Sequence, residues 1–281
     1  MSRADEVIDR VDTLGTVPGS IAQVFSLIND PKASPSDFER VVRPDPALTA
    51  NLLRCANSAF YRGSREISSV RDAIARMGLR RVFEIAAGAT FARSIPRLLE
   101  GYELSSDDYW AHSVATAVLS DRLGREAGFT YPDLAFTSGL LHDLGKLVVS
   151  RWLTEHPSLR IARPLTLDDE LDLVGATHAE LAEALCLRWH LPRDIAAAAR
   201  WHHAPADAPT ATLRYLASVI RLADLAAHTA RPAGPTPPEP LDPECLERLG
   251  LEASRVEHLA SSALPEIERT LEMLAQTRSA A

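Results

Sequence analysis

No stretch of this 281-residue sequence offers the roughly 18 uninterrupted apolar residues that a membrane-spanning helix needs, which argues against a helical membrane protein. Cysteine is scarce. Cys55, Cys186 and Cys245 are an odd number, far apart and without a C-x-x-C pair, which argues against a disulfide framework and a thiolate metal site and leaves three reduced, buried thiols as the expectation. An excess of basic charge is also missing. A net charge of -8 repels phosphate backbones over the surface, and the one arginine-rich stretch, residues 76–81, reads as a solvated helix end, so extended DNA or RNA is a poor partner. A small anionic ligand held by a local cation is compatible with that charge. The opening Met1-Ser2-Arg3-Ala4-Asp5-Glu6 carries acids where an export signal would have a basic and then an apolar region, so the cytosol is the expected location.

Period-two alternation with β-branched residues is nearly absent, whereas apolar residues recur at helical spacing almost everywhere, so the expected fold is all-α. At this length one hydrophobic core is near its limit, and two domains are expected. In the first hundred residues the punctuation suggests five short helices. Ser36-x-x-Glu39 reads as a capping box, Asp45-Pro46 as an N-cap before a helix over 47–56, and Gly78 as the stop of a helix begun near Ser69, with a longer helix over 79–93. A break at 96–105 marks the expected boundary. Beyond it Ser106-Asp107-Asp108 caps a long helix reaching Gly128, and helices follow over 132–143, 146–155, 177–189, 192–202 and 211–229. A Pro-rich loop over 231–243 precedes two closing helices, 243–250 and 254–276. The expected organisation is therefore 1–100, an N-terminal bundle of short helices packed on a helical domain at 101–230, and 231–281, the loop and closing helices.

The second half carries the chemistry. In Leu140-Leu141-His142-Asp143-Leu144-Gly145-Lys146 an adjacent His-Asp pair ends an apolar helix. Neighbouring helical side chains point about 100° apart, so both reach one ion only near a helix end, where a glycine allows the backbone to open. His112 lies 30 residues before this pair, His178 follows by 35, His202-His203 come later, and Asp224 closes the series.

This order resembles the HD superfamily of metal-dependent phosphohydrolases, and the full series is similar to the dinuclear ligand set of HD-GYP-type phosphodiesterases. The resemblance implies a first metal held by His112, His142, Asp143 and Asp224 and a second held by His178, His202 and His203, with Asp143 bridging. Imidazole and carboxylate donors suit two divalent transition-metal ions among iron, manganese, zinc, nickel and cobalt, without separating them. The implied chemistry is phosphodiester hydrolysis, with Asp143 and Lys146 as the catalytic candidates. Lys146 either pairs with a substrate phosphate or is a lysine placed favourably beside a helix end. Asp108 reads as a helix N-terminal charge. His156, His190, His228 and His258 read as loop, cap or surface residues, and Trp110, Trp189 and Trp201 as packing residues.

The first half sharpens the resemblance. Leu14-Gly15-Thr16-Val17-Pro18, Asp30-Pro31, the run from Arg43-Pro44-Asp45-Pro46 through Asn51 and Arg54, then Ala56-Asn57-Ser58-Ala59-Phe60-Tyr61 and Ile67-Ser68-Ser69-Val70, closely resemble the HDOD family, or HD-related output domains. The similarity runs to Ala223-Asp224-Leu225 and covers about 14–228. It implies a bacterial signalling output protein that regulates through binding a ligand or a signalling partner. Many relatives lack part of the metal set, whereas this chain keeps it whole. His202-His203 is followed by Ala204-Pro205-Ala206 in place of a glycine-tyrosine-proline loop, which speaks against cyclic di-GMP as substrate. An output module and an active phosphohydrolase on a cyclic dinucleotide or other small phosphoester both remain open at this point.

Asn51, Arg54, Asn57, Ser58 and Tyr61 are polar groups on one short helix and its exit. They read either as a surface offered to a partner or as buried groups fixing helix ends.

Overall fold

The structure, a computed structural model, describes residues 2–11, 27, 34–44, 46–57, 61, 67–78, 81–82, 98–130, 132–189, 191–231 and 239–278. Among these, regular structure is helical apart from one antiparallel pair of two-residue strands, β1 (Leu98–Leu99) and β2 (Leu104–Ser105), so the fold is all-α. The helices in chain order are α1 (Arg3–Arg10), α2 (Pro35–Val42), α3 (Pro46–Ala56), α4 (Val70–Met77), α5 (Ser106–Glu126), α6 (Pro132–Leu141), α7 (Gly145–Glu155), α8 (Leu167–Leu173), α9 (His178–Arg188), α10 (Arg193–Trp201), α11 (Ala211–Ala230), α12 (Pro243–Leu249) and α13 (Ala253–Arg278). None of the described helices is long and apolar enough to cross a membrane. The chain divides into two compact units. One comprises 1–15, 95–188 and 193–268, and the other 16–94, 189–192 and 269–281.

In the second unit α2 starts earlier than the sequence suggests. Ser34, not Ser36, is the N-cap: its hydroxyl accepts from the Asp37 amide, the Asp37 carboxylate accepts from the Ser34 amide, and Pro35 takes the first helical position, where a missing N–H costs nothing. Ala56, Ile67 and Ala73 form a small core flanked by Leu53 and Met77. Asn57 ties it together, because its side-chain amide donates to the Ile67 carbonyl at 2.7 Å and accepts from the Ile67 amide at 2.8 Å. That makes Asn57 a structural clamp. Arg81 Nε donates to the Tyr61 hydroxyl at 2.7 Å. The Asp45 cap, the Asn51 and Ser58 side chains and most of the helix expected over 79–93 lie outside the described residues.

The first unit is built around α5, a 21-residue helix buried on nearly every side, as a helix surrounded by others must be. Ser105 is its N-cap, accepting from the Asp108 amide, and the Asp108 carboxylate accepts from the Ser105 hydroxyl at 2.6 Å, so Asp108 is spent on the cap. Small residues on α5 let α6 lie directly on it. A Cβ added at Gly139 would stand 2.5 Å from Ser120 Oγ and 2.9 Å from the Thr116 carbonyl, so only glycine fits. α6 stops at Leu141, two residues short of the expected end, and His142, Asp143 and Leu144 form a turn into α7. α11 packs on α5, α9 on α7 and α10, and α12 on α11. α13 buries Val256, Ala260, Ala263 and Ile267 and is joined to α5 by the pairs Arg122 with Glu266 and Arg255 with Glu126. All three cysteines are free and buried, as their spacing suggests.

Candidate metal centre

Five segments of the first unit deliver imidazoles and carboxylates to one place. His112 projects from the second turn of α5, His142 and Asp143 from the turn after α6, and His178 from the first residue of α9. His202 and His203 follow the end of α10, and Asp224 stands in the middle of α11. The turn that carries the His-Asp pair is held tight against α9. A Cβ on Gly145 would lie 1.8 Å from the His178 carbonyl, so the glycine of the His-Asp-x-Gly-Lys run serves close approach and not a special backbone angle. The sequence reading had given it the second role.

All seven candidate ligands come together, and all but the half-buried His203 are buried. Three groups have one potential donor atom per residue within 4.8 Å of one another: His112, His142 and Asp224; His178, His202 and His203; and His142, Asp143 and His202. Asp143 stands between the first two. Its Oδ2 is 3.4 Å from His142 Nε2 and 3.9 Å from His112 Nε2, while its Oδ1 is 3.2 Å from His178 Nε2 and 3.8 Å from His202 Nε2. Asp224 Oδ1 lies 3.1 Å from His112 Nε2 and 3.7 Å from His142 Nε2, and His203 Nε2 lies 2.9 Å from His178 Nε2.

Hydrogen bonds behind the rings decide which nitrogen faces inward. His142 Nδ1 is 2.7 Å from the Gly139 carbonyl and His202 Nδ1 is 2.7 Å from the Ala199 carbonyl. A carbonyl only accepts, so each Nδ1 carries the hydrogen and each Nε2 presents a lone pair. Both of those Nε2 atoms are buried without a hydrogen-bond partner among the described residues. Leaving a buried polar atom unpaired costs about 1–3 kcal/mol, and two that converge on neighbouring carboxylates fit a cation. The donor set and these orphaned atoms thus fit a metal.

The electrostatics agree. Burial opposes the charged forms of Asp143 and Asp224, yet both are held well below the usual carboxylate range, Asp143 by His142, Lys146 and His178, and Asp224 by His112 and His142. Burial also disfavours a cation at His178, but the Glu170 and Asp143 carboxylates more than offset it and push that group up to about 9. Burial and the neighbouring His142 and His178 push His202 down to about 3 and keep it neutral. The negative field that draws protons to some rings is the field a metal cation would meet. Lys146 Nζ donates to Asp143 Oδ2 at 2.6 Å, next to the site.

Two further residues stand at the site beyond the seven expected ligands. Glu170, in α8, is buried; its carboxylate lies 2.9 Å from His178 Nδ1, and accepts from the His178 amide at 2.6 Å and the Tyr102 hydroxyl at 2.7 Å. It orients the His178 ring from behind, as a carboxylate does for a metal-ligating imidazole. Its position rests on a capping box in which Thr166 and Asp169 start the helix. Within Asp168-Asp169-Glu170 no sequence signal singles out the buried acid. His228, read as a surface residue, instead lies against His112 with ring centroids 4.2 Å apart and the planes tilted by 34°, and its Nε2 is 3.5 Å from Asp224 Oδ1. Its spacing of four residues from Asp224 on one helix was the available clue. His156 caps the end of α7 and stacks on Trp152, while His258 is exposed. His190 lies outside the described residues.

An all-helical unit with histidines and aspartates gathered at the junction of its central helices is an HD-type architecture, and comparison with known proteins carries this further. The HDOD domain model matches residues 14–205, and the chain belongs to the HDOD family. It is similar to an HDOD domain protein of unknown function from Geobacter sulfurreducens, with 25% identity, 97% of both chains covered and a TM-score of 0.73. A candidate signal transduction protein from Marinobacter aquaeolei VT8 is 24% identical, with 99% of this chain and 65% of that chain covered and a TM-score of 0.78. A candidate phosphohydrolase from Shewanella amazonensis SB2B is 20% identical over 95% and 97%, with a TM-score of 0.68. These two share the fold. An uncharacterised protein of Treponema pallidum (strain Nichols) is 28% identical over 222 residues, and the alignment spans 73% of this chain but 40% of that relative's length.

Proposed function

We propose that this HDOD chain is a bacterial signalling output protein whose HD-type unit holds two divalent transition-metal ions and which regulates in the cytosol through a small phosphate-containing ligand or a signalling protein partner. His112, His142, Asp143 and Asp224 would hold one ion, and His178, His202 and His203 the other. The observation that carries this reading is the division of Asp143, one oxygen toward His112 and His142 and the other toward His178 and His202, as a bridging carboxylate requires. Seven such groups are costly to bury together without a cation. The signalling role rests on family membership.

A second reading, a phosphohydrolase acting on a cyclic dinucleotide or other small phosphoester, is favoured by Lys146 standing beside Asp143. Bound ions of this kind supply Lewis-acid polarisation of a phosphoryl group. Lys146 would bind a substrate phosphate, Asp143 would fix the geometry of the centre, and Glu170 would keep His178 oriented.

Elemental analysis of protein purified without a histidine tag tests the first claim. About two metal ions per chain are expected in the wild type, with a clear loss in Asp143→Ala; a metal-free wild type overturns both readings. Incubating the metal-loaded protein with cyclic dinucleotides, nucleotides and a bis-aryl phosphodiester then separates them. Binding without turnover supports the output module, whereas turnover abolished by His142→Ala establishes the enzyme.

A further inference from the structure

A cleft of about 660 Å³ opens beside His203 and is walled by the turn after α10, by α11 and by the start of α12. That volume suits a small molecule. Two of its lining residues are cationic, Arg221 from α11 and Arg248 from α12, and neither the cleft's far wall nor these arginines fall within the 14–205 family match.

Arg221 is the better placed of the two. Its Nη1 is 3.6 Å from Asp224 Oδ2, its Nη2 is 2.9 Å from Glu239 Oε2, and its Nε is buried without a hydrogen-bond partner among the described residues. Arg248 donates one guanidinium N–H to Ser218 Oγ at 2.9 Å and lines the same cleft. A guanidinium fork matches the oxygens of a phosphate, and a buried, unpaired N–H gains most from an anionic acceptor.

The acids in the lining do not cancel these cations equally. Asp242 is committed to capping α12 through the Glu244 and Cys245 amides, while Asp207 and Glu244 are exposed. Exposed acids at a rim are screened by salt and repel a long polyanion more than a small one. Of the lining acids Glu239 alone sits on Arg221, which also faces Asp224, and the Glu239 side chain is 61% exposed, so little stability is lost when it swings away.

Building on the metal-site reading, we propose that this cleft seats the phosphate group of a small phosphoester, with Arg221 and Arg248 as its cationic contacts and the Glu239 carboxylate as an internal occupant that the ligand must displace. Glu239 therefore acts as a built-in competitor and sets how much ligand is needed. His203 belongs both to the lining of this cleft and to one of the candidate ligand groups.

Calorimetric titration with inorganic phosphate tests this on the full chain, with metal content measured alongside. Arg248→Gln is expected to weaken phosphate binding by about tenfold, the effect of one charge-assisted contact. Glu239→Gln is expected to tighten it several-fold, and neither change should alter metal content. No phosphate binding by the wild type, or binding that neither substitution moves, overturns the proposal. Glu239 is exposed, so Glu239→Gln decides the matter if the arginine variant fails to fold. A wild type that carries no metal sinks the parent reading alone, because the two arginines still act in the metal-free chain and the same pair of variants then decides the cleft.

Discussion

At the scale of single residues, the proposed metal centre would depend on groups that never touch the ion. Glu170 accepts from the His178 amide, sits behind the His178 ring and is itself anchored by Tyr102. Removing it would leave His178 Nδ1 buried without its acceptor and the ring free to turn. Carboxylates in this position typically contribute 10–100-fold to metal affinity. Glu170→Ala is therefore expected to weaken metal binding by about 10–100-fold while leaving all seven direct ligands in place. Competition against a chromophoric chelator measures it, and an unchanged affinity would mean that Glu170 serves only to fix the start of α9 through the His178 amide. The ligands themselves stood out in the sequence because histidine is rare and their order along the chain is distinctive. Glu170 did not, because an acid in the first turn of a helix is ordinarily a solvated charge beside the helix dipole, and only the tertiary fold buries it.

At the scale of elements, α13 shows which kind of contact keeps a helix docked. It offers α5 two arginine–carboxylate pairs, one at the surface and one half-buried but still open to water, and it buries Ile267 and Ala263 completely. Exposed pairs are worth about 0–1 kcal/mol, whereas truncating a fully buried isoleucine costs about 2–5 kcal/mol. Ile267→Ala should thus lower the denaturation midpoint far more than Arg122→Ala, in paired denaturant titrations; similar losses would show that the ion pairs dominate. Helix existence was legible wherever periodicity and caps coincide, as in α5, α11 and α12. Two features were not. α8, seven residues long like α12, lacks the proline at the first helical position that marks α12, and β1 and β2 are two-residue strands that no propensity marks. The α2 cap was displaced by two residues because Ser34 and Ser36 both precede an acid at the right spacing, and Pro35 settles the choice in favour of Ser34.

At the scale of the whole molecule, an ion bound at the proposed centre would act as a crosslink. Its ligands come from α5, α9, α11 and the turns after α6 and α10, elements spread over more than a hundred residues of chain. An ion bound there but not in the unfolded chain stabilises the unit by mass action, about 4 kcal/mol when free metal exceeds the dissociation constant a thousandfold. For a unit of this size that corresponds to a shift in melting temperature on the order of 10 °C. The metal-free unit still has a complete apolar core around α5, so it should remain folded and simply melt earlier. Thermal unfolding of the wild type before and after a strong chelator is expected to show this drop, restored when metal is returned. Asp143→Ala should melt near the chelated wild type and ignore the chelator, since the residue shared by both ligand groups is gone. If chelation leaves the wild-type melt unmoved, the gathered histidines and aspartates contribute nothing through a metal, and the centre must be reread as a buried hydrogen-bond network.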